Sequence, residues 1–356
     1  MKLLHIIDMG APTQAEDLIN AKYQAKYYDR LKNEFGLDVD YVIDDCLKIG
    51  DSDYSAGGLK VEKEGPEWCV HNDETLKAVE DAEVICVSFC GVNKQLIDAA
   101  KNLKLVVILR SGKENVNIEY CTSKGIKVTN APGRVSDPVA DMTVAMMLAS
   151  IREIQRLDLH RLEWDYARSI RVQPKDKPLI SDLTIGFVGF GIIAKKVVER
   201  LKGFKPEKLI AYDPFVTQED ADKYNVELVS LEELMKNSDL VSVHARLLPA
   251  TEKMISKEMI ELMKPTAYFV NTARSGLVDN DALYDALANK KIRAAALDVF
   301  DQEPLPQDDR FLKLDNVTAT PHMSGGAGDS IAITLGIVFE DIFQCLKDGT
   351  TIHKCN

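Results

Sequence analysis

No run in this 356-residue chain approaches the ~18 consecutive apolar residues of a membrane-spanning helix, so no transmembrane segment is expected. Basic charge is not in surplus: 44 Lys and Arg stand against 56 Asp and Glu, a formal net charge of −12. Phosphate backbones are held by basic surfaces, so a nucleic-acid role is not expected, and an anionic membrane surface is disfavoured for the same reason. There is no C-x-x-C pair, and the seven cysteines (46, 69, 86, 90, 121, 345 and 355) are odd in number. That usage points to reduced thiols in a cytoplasmic protein rather than a disulfide frame or a zinc site, and no metal is expected. Cys86 and Cys90 lie on or near a strand end, where burial is the simpler reading. The opening "MKLLHIIDMGAPTQ" has a short apolar run that meets Asp8 and no small-residue cleavage site, so it reads as a first strand and not a secretory leader. Short-period repeats and low-complexity tracts are also missing.

What is present is the composition of a globular chain, 46% hydrophobic and 28% charged, long enough for two domains with cores of their own. Strand-like runs occur at "KLLHIID" (2–8), "VDYVID" (39–44), "EVICVS" (83–88), "KLVVILRS" (104–111) and "IKVTNA" (126–131). Helical patterns divide them, at roughly 14–35, 93–102 and 117–125. Such alternation argues for a parallel sheet. The stretch 51–72 breaks the rhythm and reads as an inserted hairpin or loop. A helix over 136–157 follows, with Asp137 placed to cap it, Pro138 at its first position, and Met142, Met146 and Met147 at packing intervals. After an irregular polar stretch at 158–181 the alternation restarts. "LTIGFVG", "KLIAYD", "VELVS", "LVSVHA", "AYFVNTA", "RAAALDVF" and "VTAT" are the strands, and "SLEE" (230–233) makes a capping box. Both halves are therefore α/β. A last helix near 329–347 crosses back to the first. The division expected is 1–135 plus 327–356 for one domain and 136–326 for the other.

"VGFGIIA" (188–194) follows a strand and opens a helix. Gly189 suits the tight turn, Gly191 the approach of a pyrophosphate, and Ala194 the close packing of helix on strand. A second strand ends in Asp213, 24 residues beyond Gly189. A carboxylate there accepts from a ribose 2′-hydroxyl and repels a 2′-phosphate, and residue 214 is Pro rather than Arg, so NAD is expected over NADP. A nicotinamide enzyme acting on an alcohol needs a base for the hydroxyl proton and a cation for the substrate. Arg274, Asp298, Glu303 and His322 all fall at or just past the ends of successive strands, where an open parallel sheet binds its ligands. A carboxylate beside an imidazole keeps it protonated and oriented, so Glu303 is a sensible partner for His322.

These motifs, with "NTARSGLVD" (271–279), "ALDVFDQEP" (296–304) and "TPHMSGG" (320–326), resemble the D-isomer-specific 2-hydroxyacid dehydrogenases of the phosphoglycerate dehydrogenase type. The likeness is strong over 183–326, fair over about 80–182 and 327–348, and poor over the first 80 residues. It implies two Rossmann-like or flavodoxin-like domains with an active-site cleft between them. It implies that Arg274 binds the substrate carboxylate and carbonyl, and that His322, tuned by Glu303, is the acid/base. Cofactor contacts are implied at Gly189, Gly191, Ile192, Ile193, Asp213, His244, Ala245, Thr251, Thr272, Ala273, Asp298 and Gly325, with Asp298 on the nicotinamide carboxamide. Substrate contacts are implied at Ser111, Gly112 and Lys113. A homodimer built through the helix and arm at 137–182 is implied as well.

The chain departs from the family pattern in places. Its substrate loop reads "RSGKENVN" (110–117), with Lys113 and Glu114 where an apolar residue and a Gly are usual, and Arg246 stands where Pro is common. Lys113 and Arg134 either favour a substrate with an extra anionic group or are solvated loop cations. A small regulatory domain after the last helix is not expected, nor is serine feedback through one. The expected activity is NAD-dependent interconversion of a D-2-hydroxy acid and its 2-oxo acid. Formate dehydrogenases share the fold, but Gln stands there in place of Glu303. NAD-sensing corepressors of the family keep the same three residues and are the alternative of a different class.

Overall fold

In a computed structural model of the chain the described residues are 1–7, 24–49, 54–155, 157, 178–326 and 330–356. Part of the helix expected from residue 14 and most of the stretch 158–181 lie outside them. The chain divides into two compact units, Met1–Arg134 with Gly328–Asn356, and Val135–Ala327.

The first unit holds β1 (Lys2–Ile7), β2 (Asp38–Ile43), β3 (Val84–Val87), β4 (Leu105–Ile108) and β5 (Lys127–Asn130), in the order β2-β1-β3-β4-β5. Every neighbouring pair is parallel, and this is the flavodoxin-like order. All residues of β3 and β4 are buried, as strands covered on both faces must be, which is why their sequences are unbroken apolar runs. Between the strands lie α1 (Gln24–Phe35), α2 (Tyr54–Glu64), α3 (Asp73–Ala78), α4 (Lys94–Ala99) and α5 (Ile118–Ser123). Asn72, Asn93 and Asn117 cap the last three, each side chain accepting a backbone N–H from the first turn.

Helix α2 corrects the expectation of a hairpin or loop at 51–72. Its glycines act through packing rather than turning. A Cβ at Gly57 would collide with the Leu47 carbonyl, while Val61 is fully buried on the same helix. The helix stops at Gly65, whose φ of +79° gives the left-handed residue that ends helices.

The second unit holds β6 (Thr184–Val188), β7 (Lys208–Tyr212), β8 (Glu227–Leu228), β9 (Leu240–Val243), β10 (Tyr268–Asn271), β11 (Ala294–Leu297) and β12 (Val317–Ala319). Their order is β12-β11-β10-β9-β6-β7-β8, parallel throughout, the doubly wound arrangement of dinucleotide-binding folds. Chain direction across the sheet reverses between β6 and β9, and ligands bind at such switch points.

Helix α6 (Ser136–Ile151) starts where expected and ends earlier than the 136–157 its sequence suggests. Val135 is at the cap position with no side-chain cap, and Asp137 does not cap. The Asp137 carboxylate instead accepts from Lys196 Nζ at 2.9 Å and Arg200 Nη2 at 3.0 Å, both on α7 (Ile192–Leu201). Two cations outcompete the helix's own N–H groups for the side chain. Met146 and Met147 are buried and Met142 packs against the same core. Ser230 and Glu233 form the expected capping box at α8 (Leu231–Asn237).

The last helix, α9 (Ser330–Asp348), belongs to the first unit. Its Leu335, Val338, Phe339, Ile342 and Phe343 join Leu3, Val84, Cys86, Leu105 and Val107 in one core. Beyond it, Lys354 bridges antiparallel to Thr129 of β5, whose hydroxyl donates to the His353 carbonyl at 2.9 Å. Among the described residues no helix is long and apolar enough to cross a membrane.

Candidate active site

The turn from β6 into α7 is built for close approach. Gly189 has φ +89°, and a Cβ there would lie 2.6 Å from the Ala245 nitrogen, so only glycine lets the ends of β6 and β9 meet. Gly191 is the N-cap of α7, and no atom lies within 4 Å of where its Cβ would stand. With no side chain capping this end, the first-turn N–H groups remain for an anion, and the helix dipole favours one. Ile192 is exposed, Ile193 packs partly on the core, and Ala194 is fully buried at the third small position.

Asp213 follows β7 and braces this turn. Its Oδ2 accepts from Phe190 N at 2.8 Å and its Oδ1 from Phe215 N at 2.9 Å. Each oxygen keeps a lone pair for a ribose hydroxyl. The donor set therefore fits a dinucleotide: an open glycine cradle, an uncapped helix end, and a carboxylate held beside them.

Other residues expected at the cofactor have definite local roles. His244 Nε2 meets Ser242 Oγ at 2.9 Å, and burial pushes its imidazole down, so it is neutral. Ala245 backs Gly189. Thr251 Oγ1 donates to the Arg246 carbonyl at 2.7 Å and accepts from Leu248 N at 2.8 Å, closing that loop on itself. Thr272 is buried with its hydroxyl 2.8 Å from that of Thr143 on α6. Ala273 N donates to Asn271 Oδ1 at 3.0 Å, and Gly325 lies against Val135.

The ends of β10, β11 and β12 bring Arg274, Glu303 and His322 together. His322 Nδ1 lies 2.7 Å from Glu303 Oε2. With its proton directed at that carboxylate, Nε2 is left for a substrate, and the His322 side chain is 42% exposed and reachable. Glu303 is fixed in turn by Phe300 N, which donates to its Oε1 at 2.9 Å. The hydrogen bond that His322 donates to Glu303 raises the His322 pKa above the ordinary histidine value, against burial and the nearby Arg274 charge. Burial pushes the Glu303 carboxyl up, but His322, the Phe300 N–H and Arg274 together bring it below the usual range. Arg274 is exposed, its Nη1 donating to the Ala273 carbonyl at 2.8 Å.

Asp298, expected at the nicotinamide, also holds the His322 loop. It is completely buried, and its carboxylate clasps the His322 loop. Oδ1 accepts from Thr320 Oγ1 at 2.5 Å and Met323 N at 3.0 Å, and Oδ2 from Ser324 N at 2.9 Å. These bonds straddle His322, which sits at φ +53°. Sequence reasoning missed this role because it depends on loop N–H groups that no residue type announces.

In the first unit, Ser111 Oγ donates to the Ala131 carbonyl at 3.0 Å, and a Cβ on Gly112 would lie 2.9 Å from Arg110 Nη2. Lys113 is exposed. Arg134 is not a solvated loop cation: it is half-buried, donates to Thr334 Oγ1 at 3.2 Å, and has its pKa lowered by burial and by Arg110. Arg110 lies over the Phe89 ring and pairs with Glu62 of α2. Glu62 went unnoticed in the sequence because its helix did.

Known proteins place this geometry. Residues 144–324 match the NAD binding domain of the D-isomer specific 2-hydroxyacid dehydrogenases. A D-3-phosphoglycerate dehydrogenase of Methanocaldococcus jannaschii is 40% identical over 279 residues, 77% of this chain and 52% of that protein. A hydroxypyruvate reductase of Thermotoga maritima is 37% identical over 265 residues, 73% of this chain and 84% of that protein. The NAD-complexed D-isomer specific 2-hydroxyacid dehydrogenase of Lactobacillus delbrueckii ssp. bulgaricus shares the fold, with TM-score 0.75 at 22% identity over 100% of both chains. The chain spans about half the length of the phosphoglycerate dehydrogenases it matches. With an NAD-binding domain matched over half its length and a relative similar over most of that relative's own length, the chain belongs to the D-isomer specific 2-hydroxyacid dehydrogenase family.

Proposed function

We propose that the protein is an NAD-dependent oxidoreductase that interconverts a small D-2-hydroxy acid and its 2-oxo acid, of the phosphoglycerate, hydroxypyruvate or glyoxylate class. The observation that carries this reading is the His322–Glu303 pair at 2.7 Å, within reach of the Arg274 charge. An imidazole held protonated by a carboxylate is a general acid for a carbonyl oxygen, and once neutral it is the base for a hydroxyl. Bound NAD supplies or accepts the hydride at substrate C2. His322 Nε2 delivers the proton to the oxygen on that carbon, and Glu303 stabilises the imidazolium before transfer. Arg274 holds the substrate carboxylate and polarises the carbonyl. Ser111, Gly112 and Lys113 supply further contacts to the carboxylate and the tail of the substrate. Asp298 contacts the nicotinamide carboxamide and holds the loop it clasps. We further propose a cytoplasmic homodimer, with the exposed Ile154 and Leu179 inside the stretch 137–182 that would build it.

The test is NADH consumption, followed by its absorbance, against a panel of phosphorylated and unphosphorylated 2-oxo acids, with NADPH in parallel. Turnover with NADH on at least one member is the expected result. Tight NADH binding without turnover on any member would reject the enzyme reading in favour of an NAD-sensing binding protein.

A further inference from the structure

The first unit buries a cluster that plays no part in the proposed chemistry. Asp44 and Cys46 follow β2, Cys69 and His71 lie between α2 and α3, and Cys90 follows β3. All five are at most 5% exposed. One donor atom each from Asp44, Cys46, His71 and Cys90 lies within 4.8 Å of all the others. Cys46 Sγ is 3.4 Å from Cys90 Sγ, and the Cys69 sulfur lies against Gly91, next in the chain to Cys90. None of these cysteines is in a disulfide.

We infer that Cys46, Cys69, Cys90 and His71 form a closed site for one zinc ion, with Asp44 orienting the histidine. Three sulfurs and one imidazole are a donor set that zinc takes tetrahedrally, and Zn–S bonds of about 2.3 Å put tetrahedral sulfurs about 3.8 Å apart. Cys46 and Cys90, 3.4 Å apart, need to separate by only a fraction of an ångström. His71 is poised for the fourth position. Its Nδ1 lies 2.9 Å from Asp44 Oδ2, and its Nε2 is buried with no hydrogen-bond partner. A carboxylate on the far nitrogen is the arrangement that fixes metal-binding histidines. Asp44 is itself held, its Oδ1 accepting from Cys46 N at 2.8 Å. The backbone around the thiols is equally set: Asn93 Nδ2 donates to the Cys69 carbonyl at 2.8 Å, and Asn115 Nδ2 to that of Cys90 at 3.0 Å. Gly91 admits the Cys69 sulfur, which would lie 2.5 Å from a Cβ at that position.

Four buried protein donors leave no open coordination position, so the ion is structural rather than catalytic. Its place accounts for the stretch 51–72. Cys69 and His71 come from that stretch and its donors otherwise come from the ends of β2 and β3, so the ion fastens an irregular excursion to the sheet. Helix α2 lies in the same excursion.

The whole chain, purified without added metal, should carry one zinc per chain by elemental mass spectrometry. After removal with a chelator, Co(II) should give the intense visible bands and sulfur-to-metal charge transfer of a tetrahedral thiolate site. Asp44→Asn should weaken Co(II) binding by about 10–100-fold. Cys90→Ser should abolish the thiolate spectrum, while Cys345→Ser, on α9, leaves it intact. His71→Cys keeps four donors and should retain metal with an altered Co(II) spectrum, so the inference stays testable if the serine variant fails to fold. A stripped wild-type chain that gives no tetrahedral Co(II) spectrum overturns it. So does a disulfide among Cys46, Cys69 and Cys90 found by peptide mapping of the unreduced chain.

Discussion

Replacing Asp298 by Asn isolates what the clasp does. The side chain keeps its shape, loses its charge, and turns one acceptor into a donor. The site is fully buried, and three donors converge on it: Thr320 Oγ1, Met323 N and Ser324 N. A hydrogen bond to a charged group contributes about 1.5–3 kcal/mol and a neutral one about 0.5–1.5, so neutralising the acceptor costs about 1 kcal/mol per bond. In either amide orientation at least one donor also faces an NH₂ group, and a buried donor left unmet costs about 1–3 kcal/mol. The total is about 4 kcal/mol. For a unit the size of Val135–Ala327 this lowers the melting midpoint by roughly 8–16 °C. Because two of the bonds lie beyond His322 and one before it, the loop should also lose its register. A misplacement of about 1 Å at the acid/base costs on the order of a hundredfold in turnover. Thermal and urea unfolding, with kcat and KM measured on the same preparations, provide the assay. Thr320→Val, which removes one of the three donors, should cost less, about 1.5–3 kcal/mol. Asp298→Asn within 1 kcal/mol of wild type, with unchanged kcat, would refute the clasp.

His322→Ala should lower turnover by about 10²–10⁴-fold while NADH binding, read by fluorescence, persists; near wild-type rates would reject the acid/base role. Oxo-acid reduction needs protonated His322, so its rate should fall as pH rises through the raised pKa, and hydroxy-acid oxidation should rise over the same range. Glu303→Gln should move both inflections toward acid, and unmoved inflections would exclude the coupling. In stability the sign is the same: the histidine's contribution is complete below the unfolded histidine pKa and is lost as pH rises through the raised value, and that of Glu303 is lost as pH falls through its lowered one. Asp213→Ala should weaken NADH binding and relax discrimination against NADPH; an unchanged cofactor preference would remove Asp213 from the ribose. Gly189→Ala places a Cβ 2.6 Å from Ala245 N on a left-handed backbone and should abolish tight NADH binding, which titration would reveal.

Much of the architecture could be read from the residues because sheets covered on both faces need continuous apolar strands. "VICV" and "LVVI" are such strands, and every residue in them is buried. The glycine turn was readable because its backbone tolerates no substitute. Glu303 and His322 could be matched because both follow the ends of neighbouring strands, β11 and β12. Other features depended on partners distant in sequence. The stretch 51–72 reads as a hairpin or loop until Leu47 is packed against Gly57 and Phe89 against Gly58. Asp137 reads as a cap until Lys196 and Arg200 arrive from α7. The donors around Cys46 are spread over residues 44–90 at intervals that match no short motif, and only the sheet collects them.

The return of α9 to the first unit bears on the order in which the protein is made. Its apolar face completes the core over β1, β3 and β4, and Thr129 finds its His353 partner 224 residues later. As the chain is synthesised, Val135–Ala327 has all its strands in hand while the first sheet still lacks one cover. Until α9 emerges, Leu3, Val84, Leu105 and Val107 face water or a chaperone. Closing that contact across an unfolded chain would carry the entropy of a very long loop, and a second unit already folded shortens the loop that must be closed. Substitutions on the apolar face of α9 should therefore reduce the yield of folded protein more than they reduce the activity of the molecules that succeed.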